Sequence, residues 1–258
     1  MILSDSHAHL DDERFENEVD EIVNNARKQG IDFILNPGCD EKTSRRAVEL
    51  SENYDLIYAG VGFHPSDCSA FDREVHPQMI REWCALDKTL AIGEIGLDYF
   101  YEDGAPRELQ KKVFEEQMAL ANALKKPIIV HDRDAHGDCL EMVKSCLDPE
   151  TGGVFHSYSG SVEMAKVLLD RGFYLSIGGP LTFKNSRKAP DVVKYMPIER
   201  LLIETDSPYL TPVPYRGKRN EPAYVRFVAE KVGELKGLTA EAVGLMTMEN
   251  CKRLFFKA

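Results

Sequence analysis

The sequence lacks any uninterrupted apolar run long enough to span a bilayer. Its N-terminus, MILSDSHAHL, also lacks the basic start and apolar stretch of a signal peptide, and it has Asp5 where that stretch would lie. Apolar residues nevertheless make up 43% of the 258 residues, which is typical of a globular protein with a substantial core. We therefore expect a cytoplasmic protein.

The spacing of the cysteines excludes the common cysteine frameworks. The six cysteines are scattered, and no C-x-x-C pair occurs. Disulfide frameworks are typical of small secreted chains, so we expect reduced thiols and assign them no role.

Basic residues are outnumbered by acidic ones, 32 to 43, so the formal net charge is −11. This value excludes a protein that coats nucleic acid through a broad basic surface. It is compatible with an enzyme that contacts a few phosphates locally and uses metal ions as its positive charge.

A repeated unit is present along the whole chain: a short β-branched apolar run, then a helical pattern, then another run. Strands that alternate with helices form a parallel sheet covered on both faces. The eight apolar runs are residues 2–3, 31–35, 56–61, 90–92, 128–130, 154–155, 173–177 and 201–203.

Helix-ending and helix-starting residues separate these runs. Gly30 and Gly172 are placed as helix-ending glycines, and Ser161 is placed as the N-cap of a helix over 162–171. Pro222 is predicted to begin a helix that continues over 223–236. A last helix is predicted over 240–256, with core candidates Val243, Leu245, Met246, Leu254 and Phe255.

Eight such units in about 250 residues predict an α/β fold, a (β/α)8 TIM barrel forming a single domain over residues 1–258. The alternative is an open doubly wound sheet. That fold would require a glycine-rich phosphate loop after the first strand, where Ser4-Asp5-Ser6-His7 stands instead.

Polar residues follow six of the eight runs, where a barrel of this class carries its chemistry. Five of the seven histidines fall at these strand ends. The residues are His7 and His9 after the first run, His64 after the third, Glu94 after the fourth, His131 and Arg133 after the fifth, His156 after the sixth and Asp206 after the eighth.

Each of these residues alone has a structural explanation, such as a hydrogen-bonded core histidine or a carboxylate that ends a turn. Together they would crowd one end of the barrel, where desolvated carboxylates and imidazoles are costly unless they are paired or bind a metal. Few basic residues stand nearby to neutralise the acids. The pattern therefore predicts a divalent metal site formed by His7, His9, Glu94, His131, His156 and Asp206.

Seven short motifs extend this pattern in order along the chain. They are Ser-His-Ala-His-Leu-Asp (6–11), Gly-Phe-His-Pro (62–65), Ile-Gly-Glu-Ile-Gly-Leu-Asp-Tyr (92–99), His-Asp-Arg-Asp-Ala (131–135), Phe-His-Ser-Tyr-Ser-Gly (155–160), Glu-Thr-Asp-Ser-Pro-Tyr-Leu (204–210) and Arg-Asn-Glu-Pro (219–222). Their order and spacing resemble those of the TatD deoxyribonuclease family, within the amidohydrolase-like group of metal-dependent barrel hydrolases.

The resemblance implies a binuclear site. One ion would be held by His7, His9 and Asp206, the other by His131 and His156, with Glu94 as the bridge. Two small departures occur: Ser66 follows the proline of Gly-Phe-His-Pro where a second histidine is frequent, and Ser157 stands where cysteine is common. Neither change affects an implied ligand.

Two ions about 3.5–4 Å apart can polarise phosphoryl oxygens and acidify a bridging water. Glu94 and Asp206 are the predicted catalytic residues, Glu94 as the bridge and Asp206 also as acceptor of the proton of the attacking water. A histidine and carboxylate donor set without thiolate is compatible with Mg²⁺, Mn²⁺ or Zn²⁺.

Basic residues after the seventh and eighth runs favour a phosphate ester, because TIM barrels frequently bind phosphate there. We predict His64, Arg133 and Arg216 as substrate-binding residues, and DNA as the substrate. The family resemblance favours 3′→5′ exonuclease action, and nearby aromatic residues favour single strands or frayed ends. The basic residues are Lys184, Arg187, Lys188, Arg216, Lys218 and Arg219.

Two other functions stay open. The first is an amidohydrolase or carboxylic esterase on the same barrel, since fold alone does not define the substrate. Many such relatives bridge their metals with a modified lysine, whereas Glu94 stands at the fourth strand here. The second is a non-catalytic metal-binding scaffold. A monomer without an obligate protein partner is expected in each case.

Overall fold

The computed structural model of the chain describes residues 1–256, so residues 257 and 258 of the predicted domain lie outside the described part. Eight strands form one parallel sheet in which each strand pairs with the next one along the chain. All eight predicted strands are confirmed. The strands are β1 Leu3–Asp5, β2 Ile31–Pro37, β3 Ile57–Val61, β4 Thr89–Asp98, β5 Ile128–Arg133, β6 Gly153–Phe155, β7 Tyr174–Ile177 and β8 Leu201–Ile203.

The first and last strands approach each other beyond their C-terminal ends and bring the sheet into a ring. The Ser6 amide donates to the Ile203 carbonyl oxygen at 3.0 Å, and the Asp206 amide donates to the His7 carbonyl oxygen at 2.9 Å. The predicted (β/α)8 barrel is therefore confirmed, and the alternative of an open doubly wound sheet is wrong.

Helices connect the strands and cover the outside of the ring. Within residues 1–256, no helix is both long and apolar enough to cross a membrane. The helices are α1 Val19–Lys28, α2 Glu41–Asn53, α3 His76–Cys84, α4 Arg107–Leu124, α5 His136–Cys146, α6 Val162–Asp170, α7 Lys188–Tyr195, α8 Val225–Lys236 and α9 Ala240–Phe255.

Most of the predicted helix ends are correct. Ser161 caps α6, and its side chain accepts a hydrogen bond from the Met164 amide. The prediction for Pro222 is wrong in detail, because Pro222–Tyr224 forms a 3-10 turn and α8 begins at Val225. The cause is local: the Tyr224 amide bonds the Glu221 carbonyl three residues earlier at 2.9 Å, which winds this turn more tightly than an α-helix.

Two of the core residues predicted in the last helix are wrong. Leu245 is 51% exposed, and Met246 is only partly buried. The helix instead packs through Gly244, where an added Cβ would lie 2.3 Å from the carbonyl oxygen of Ile2. This close approach turns Leu245 toward solvent. The buried side of α9 is formed by Val243, Gly244, Thr247, Met248, Asn250, Cys251, Leu254 and Phe255.

We expect Gly244→Ala to destabilise the protein by about 1–3 kcal/mol, the usual cost of overpacking a core. The added methyl group would push α9 away from the backbone that leads into β1. Gly137→Ala in α5 is the matched control, because a Cβ there meets nothing within 4 Å, and it should gain up to about 1 kcal/mol of helix propensity. Urea unfolding of both variants measures the difference, and a stabilised Gly244→Ala would contradict the packing argument.

Candidate metal centre

The six predicted metal ligands meet at the C-terminal end of the barrel. His7 and His9 follow β1 with one residue between them, so the alternation of extended backbone brings both imidazoles to the same side. Their Nε2 atoms lie 3.1 Å apart. Asp206 follows β8, and its Oδ1 lies 3.7 Å from His7 Nε2 and 3.6 Å from His9 Nε2. Glu94 on β4 and His156 after β6 lie against the same three side chains. The segments after β1, β6 and β8 therefore converge with β4 on one point.

Glu94 occupies the centre of the cluster, and its two carboxylate oxygens face different histidine pairs. Oε2 lies 3.3 Å from His7 Nε2 and 3.5 Å from His9 Nε2. Oε1 lies 2.8 Å from His131 Nδ1 and 2.7 Å from His156 Nε2. The carboxylate therefore connects two groups of donor atoms, one on each side.

The donor set fits divalent cations. Glu94 is 3% exposed, and His7 is fully buried. Among the described residues, the ion-pair partners of Glu94 and Asp206 are histidines, with neither lysine nor arginine within 4 Å. Buried carboxylates with so few fixed cations require positive charge from another source. Imidazole and carboxylate donors without thiolate are ligands that Mn²⁺, Zn²⁺ and Mg²⁺ accept.

The pKa shifts within the cluster also indicate that a positive charge is favoured beside Glu94. Burial alone would raise the pKa of Glu94, but His156, His7 and His64 hold it well below its usual range. Burial alone would lower the pKa of His156, but Glu94 and Glu204 raise it well above its usual range. The chain thus favours an ionised carboxylate beside a cationic imidazole. A bound metal would replace that proton, so we expect metal binding to release protons.

Two buried carboxylates contact the outer nitrogens of the histidines. Asp98 Oδ2 lies 3.0 Å from His131 Nε2. Glu204 Oε1 lies 3.7 Å from His156 Nδ1 and accepts the Ser157 amide at 2.7 Å. Such contacts define the orientation of a metal-binding imidazole and increase its basicity.

Sequence reasoning missed Asp98, although the signal was present. Asp98 lies four residues beyond Glu94 on the same strand, β4, and an even spacing places both side chains on one face. Their common contact with His131 follows from that spacing.

Asp5 was also missed as part of the site. Its side chain accepts the Thr205 amide at 2.9 Å and the Thr205 hydroxyl at 2.5 Å, and it lies 3.3 Å from the His7 amide nitrogen. Burial raises the pKa of Asp5 to about 8. These bonds join the end of β1 to the segment after β8, and thereby hold His7 beside Asp206.

The three predicted substrate-binding residues lie in different surroundings. His64 lines the cavity above the cluster, with Nε2 3.7 Å from Glu94 Oε1, and burial together with His131 lowers its pKa to about 3. Arg133 lines the same cavity. Arg216 is not among the described residues that line it, and its guanidinium lies 4.2 Å from the centre of the Phe183 ring. Its substrate-binding role stays a prediction.

The cavity has a volume of about 1450 Å³, which exceeds that of most small-molecule pockets. Its lining includes Glu94, His131, His156 and Asp206 at one end. The space extends well beyond the cluster, along the segments that follow β1, β2 and β3 and to Tyr101 in the loop that follows β4.

The sequence profile of the family described as TatD related DNase matches residues 4–256. The chain is 46% identical to the uncharacterized metal-dependent hydrolase YabD of Bacillus subtilis, over 98% of this chain and 99% of that protein. It is 38% identical to the uncharacterized metal-dependent hydrolase YcfH of Escherichia coli, over 99% of this chain and 96% of that protein.

Solved structures agree with this relationship. The crystal structure of YJJV, a TatD homologue from Escherichia coli, superimposes with a TM-score of 0.92 at 29% identity, covering 99% of this chain and 98% of that one. An organophosphorus hydrolase superimposes with a TM-score of 0.65 at 17% identity, over 98% of this chain and 92% of that one, and so shares the fold alone. The family resemblance noted in the sequence is confirmed, and the chain belongs to the TatD family of metal-dependent hydrolases.

Proposed function

We propose that the cluster holds two divalent metal ions. His7, His9 and Asp206 would hold one, His131 and His156 the other, and Glu94 would bridge them. The observation that carries this assignment is the position of Glu94, whose Oε2 faces the first histidine pair and whose Oε1 faces the second. Mg²⁺, Mn²⁺ and Zn²⁺ each accept this donor set.

We further propose that the protein hydrolyses phosphodiester bonds of DNA, as a 3′→5′ exonuclease on single strands or frayed ends. Two such ions would polarise the phosphoryl oxygens and acidify a water molecule. Asp206 would accept the proton of that water, because its side chain is 13% exposed and thus reaches the cavity more than Glu94 does. His64 and Arg133 would contact the substrate from the cavity wall.

Several features support a nucleic acid substrate over a small amide or ester. The family profile carries the name DNase, and the cavity exceeds the size that a small molecule requires. Arg133 lines the cavity and offers a cationic contact for a phosphate.

The six cysteines, none of which forms a disulfide in the described chain, support the expected cytoplasmic location. A single domain and a monomeric state complete the proposal.

Removing metal should abolish hydrolysis, because the proposed reaction uses the ions to polarise the phosphoryl oxygens and to acidify the attacking water. We expect a 5′-labelled single-stranded oligodeoxynucleotide to be shortened stepwise by the purified protein. A chelator should stop the reaction, and Mg²⁺, Mn²⁺ or Zn²⁺ should restore it. Dipeptides, lactones and aminoacyl esters should remain intact under the same conditions. Their hydrolysis in place of DNA would favour the amidohydrolase alternative, and inactivity on every substrate would favour a binding scaffold.

Metal content tests the assignment of ligands independently of activity. His131→Ala should lower the stoichiometry from two ions per chain to about one, as measured by elemental analysis. His136→Ala is the matched control, since this histidine begins α5 five residues later and contacts Asp132 rather than the cluster. Equal metal content in both variants would show that His131 is not a ligand.

Asp206→Asn should remove the proton acceptor while leaving an amide oxygen as a weaker metal ligand. We expect kcat to fall by roughly 10²- to 10⁴-fold, the range that general acid–base groups contribute. Some metal should remain bound. The control is Asp170→Asn at the exposed end of α6, which should keep full activity. Near-normal turnover by Asp206→Asn would rule out its role as base.

A further inference from the structure

Tyr101 presents an exposed aromatic ring at the edge of the cavity. It belongs to the loop between β4 and α4, lines the cavity, and is 52% exposed. Its neighbour Phe100 is also half exposed, and the two rings meet edge to face at a centroid distance of 5.0 Å. An exposed aromatic pair beside a catalytic centre has a free face that a planar ligand can cover.

Arg133 lies against both rings. Its guanidinium carbon is 3.7 Å from the centre of the Phe100 ring and 5.2 Å from that of Tyr101, and Nη1 lies 3.4 Å from the Tyr101 hydroxyl. Among the described residues this hydroxyl is its one side-chain hydrogen-bond partner, and no carboxylate forms an ion pair with it. The positive charge of Arg133 is therefore available to a ligand.

Among the described residues that line the cavity, Tyr209 is the other exposed aromatic one, and it lacks a free cation. Tyr209 also lines the cavity, with the guanidinium of Arg14 4.3 Å from its ring centre. Asp12, however, accepts two hydrogen bonds from the Arg14 side chain, at 2.8 and 2.7 Å. That pair neutralises the arginine, so Tyr101 has the stronger attraction for an anionic ligand.

Tyr101 and Arg133 adjoin the half of the cluster formed by His131 and His156. Arg133 lies two residues beyond His131, so both side chains are on the same face of β5. Arg133 also pairs in register with Asp98 on β4, the carboxylate that contacts His131. A phosphate held at the cluster therefore has its neighbouring nucleotide within the reach of this loop.

The opposite wall of the cavity repels a polyanion. It is formed by the segments after β1 and β2, and in a ring of eight strands β1 lies opposite β5. Arg45 and Arg46 on this wall pair with Glu41 and Glu49 at 2.9 and 3.1 Å. The charged residues of this wall are Asp11, Asp12, Glu13, Glu16, Asp40, Glu41 and Glu49 against Lys42, Arg45 and Arg46.

We propose that Tyr101 is a stacking surface for a base of the substrate strand, that Arg133 contacts an adjacent phosphate, and that Phe100 positions Arg133. This inference rests on the proposed nuclease function and adds the site of the nucleotide next to the scissile bond. An unpaired base can cover the Tyr101 ring, whereas a base inside a duplex is already stacked. The surface therefore selects single strands.

Tyr101→Leu keeps an apolar side chain and removes the aromatic face. We expect KM for an oligothymidylate to rise about 5- to 150-fold, the range that corresponds to losing one stacked base. Tyr101→Phe should stay within about twofold of the parent protein, because the face is retained. Tyr195→Leu is the matched control, since Tyr195 is 47% exposed at the end of α7 and does not line the cavity. An unchanged KM for Tyr101→Leu would overturn the proposal.

A second substrate separates stacking from general disruption. An oligomer of 5,6-dihydrothymidine has the same charge and length as oligothymidylate, but its saturated bases stack poorly. The parent protein should prefer oligothymidylate, and Tyr101→Leu should treat both oligomers alike. If the variant retained the full preference, the base would not be stacking on Tyr101.

Equilibrium binding of the oligomer tests the proposal independently of turnover. Fluorescence anisotropy of the labelled oligothymidylate should give a Kd that rises by the same factor in Tyr101→Leu, with an unchanged Tm for unfolding. If the parent protein binds this oligomer but does not cleave it, the proposed function fails while the Kd ratio still tests Tyr101. If the parent protein does not bind it at all, the stacking surface is overturned.

Discussion

The burial of one carboxylate among five imidazoles is the interaction on which the rest of the site depends. Glu94 is removed from water, and its oxygens have histidine nitrogens as their close charged partners. An isolated buried carboxylate is too costly to persist, so this arrangement requires protons or metal ions between the donor atoms. The same requirement explains why Asp98 and Glu204 lie behind the histidines, since each contact defines the direction of an imidazole.

Closure of the barrel has a direct chemical consequence. His7 and Asp206 are 199 positions apart in the chain, yet they meet because the segments after β1 and β8 are joined by hydrogen bonds. Asp5 and Thr205 add side-chain bonds to this junction. The site therefore forms only when the first and last strands come together, which couples the assembly of the cluster to completion of the fold.

The charge of the protein is distributed unevenly around the cavity. The chain carries a net charge of −11, and the wall near β1 and β2 is acidic. Arg133, which forms no ion pair with a carboxylate of the described residues, supplies a cation on the opposite side, beside two exposed rings. An anionic strand would consequently be attracted to one side of the site and repelled from the other. This local asymmetry would allow an acidic protein to act on a polyanion, as proposed, without a broad basic surface.

Residue type and spacing by themselves determined the eight strands, the barrel and the group of six polar residues at its C-terminal end. They suffice because apolar runs mark parallel strands, and because parallel strands that close into a barrel end on the same side. The prediction that Leu245 lies in the core was wrong, because the helix packs through Gly244 instead. The close approach of Gly244 to Ile2 depends on a contact between the two ends of the chain. Only the tertiary structure decided that the two oxygens of Glu94 face different histidine pairs, that Asp5 joins β1 to the end of β8, and that Arg133 lines the cavity whereas Arg216 does not. Those facts depend on distances between segments far apart in sequence, and the pattern of residues along a single chain carries no such distances.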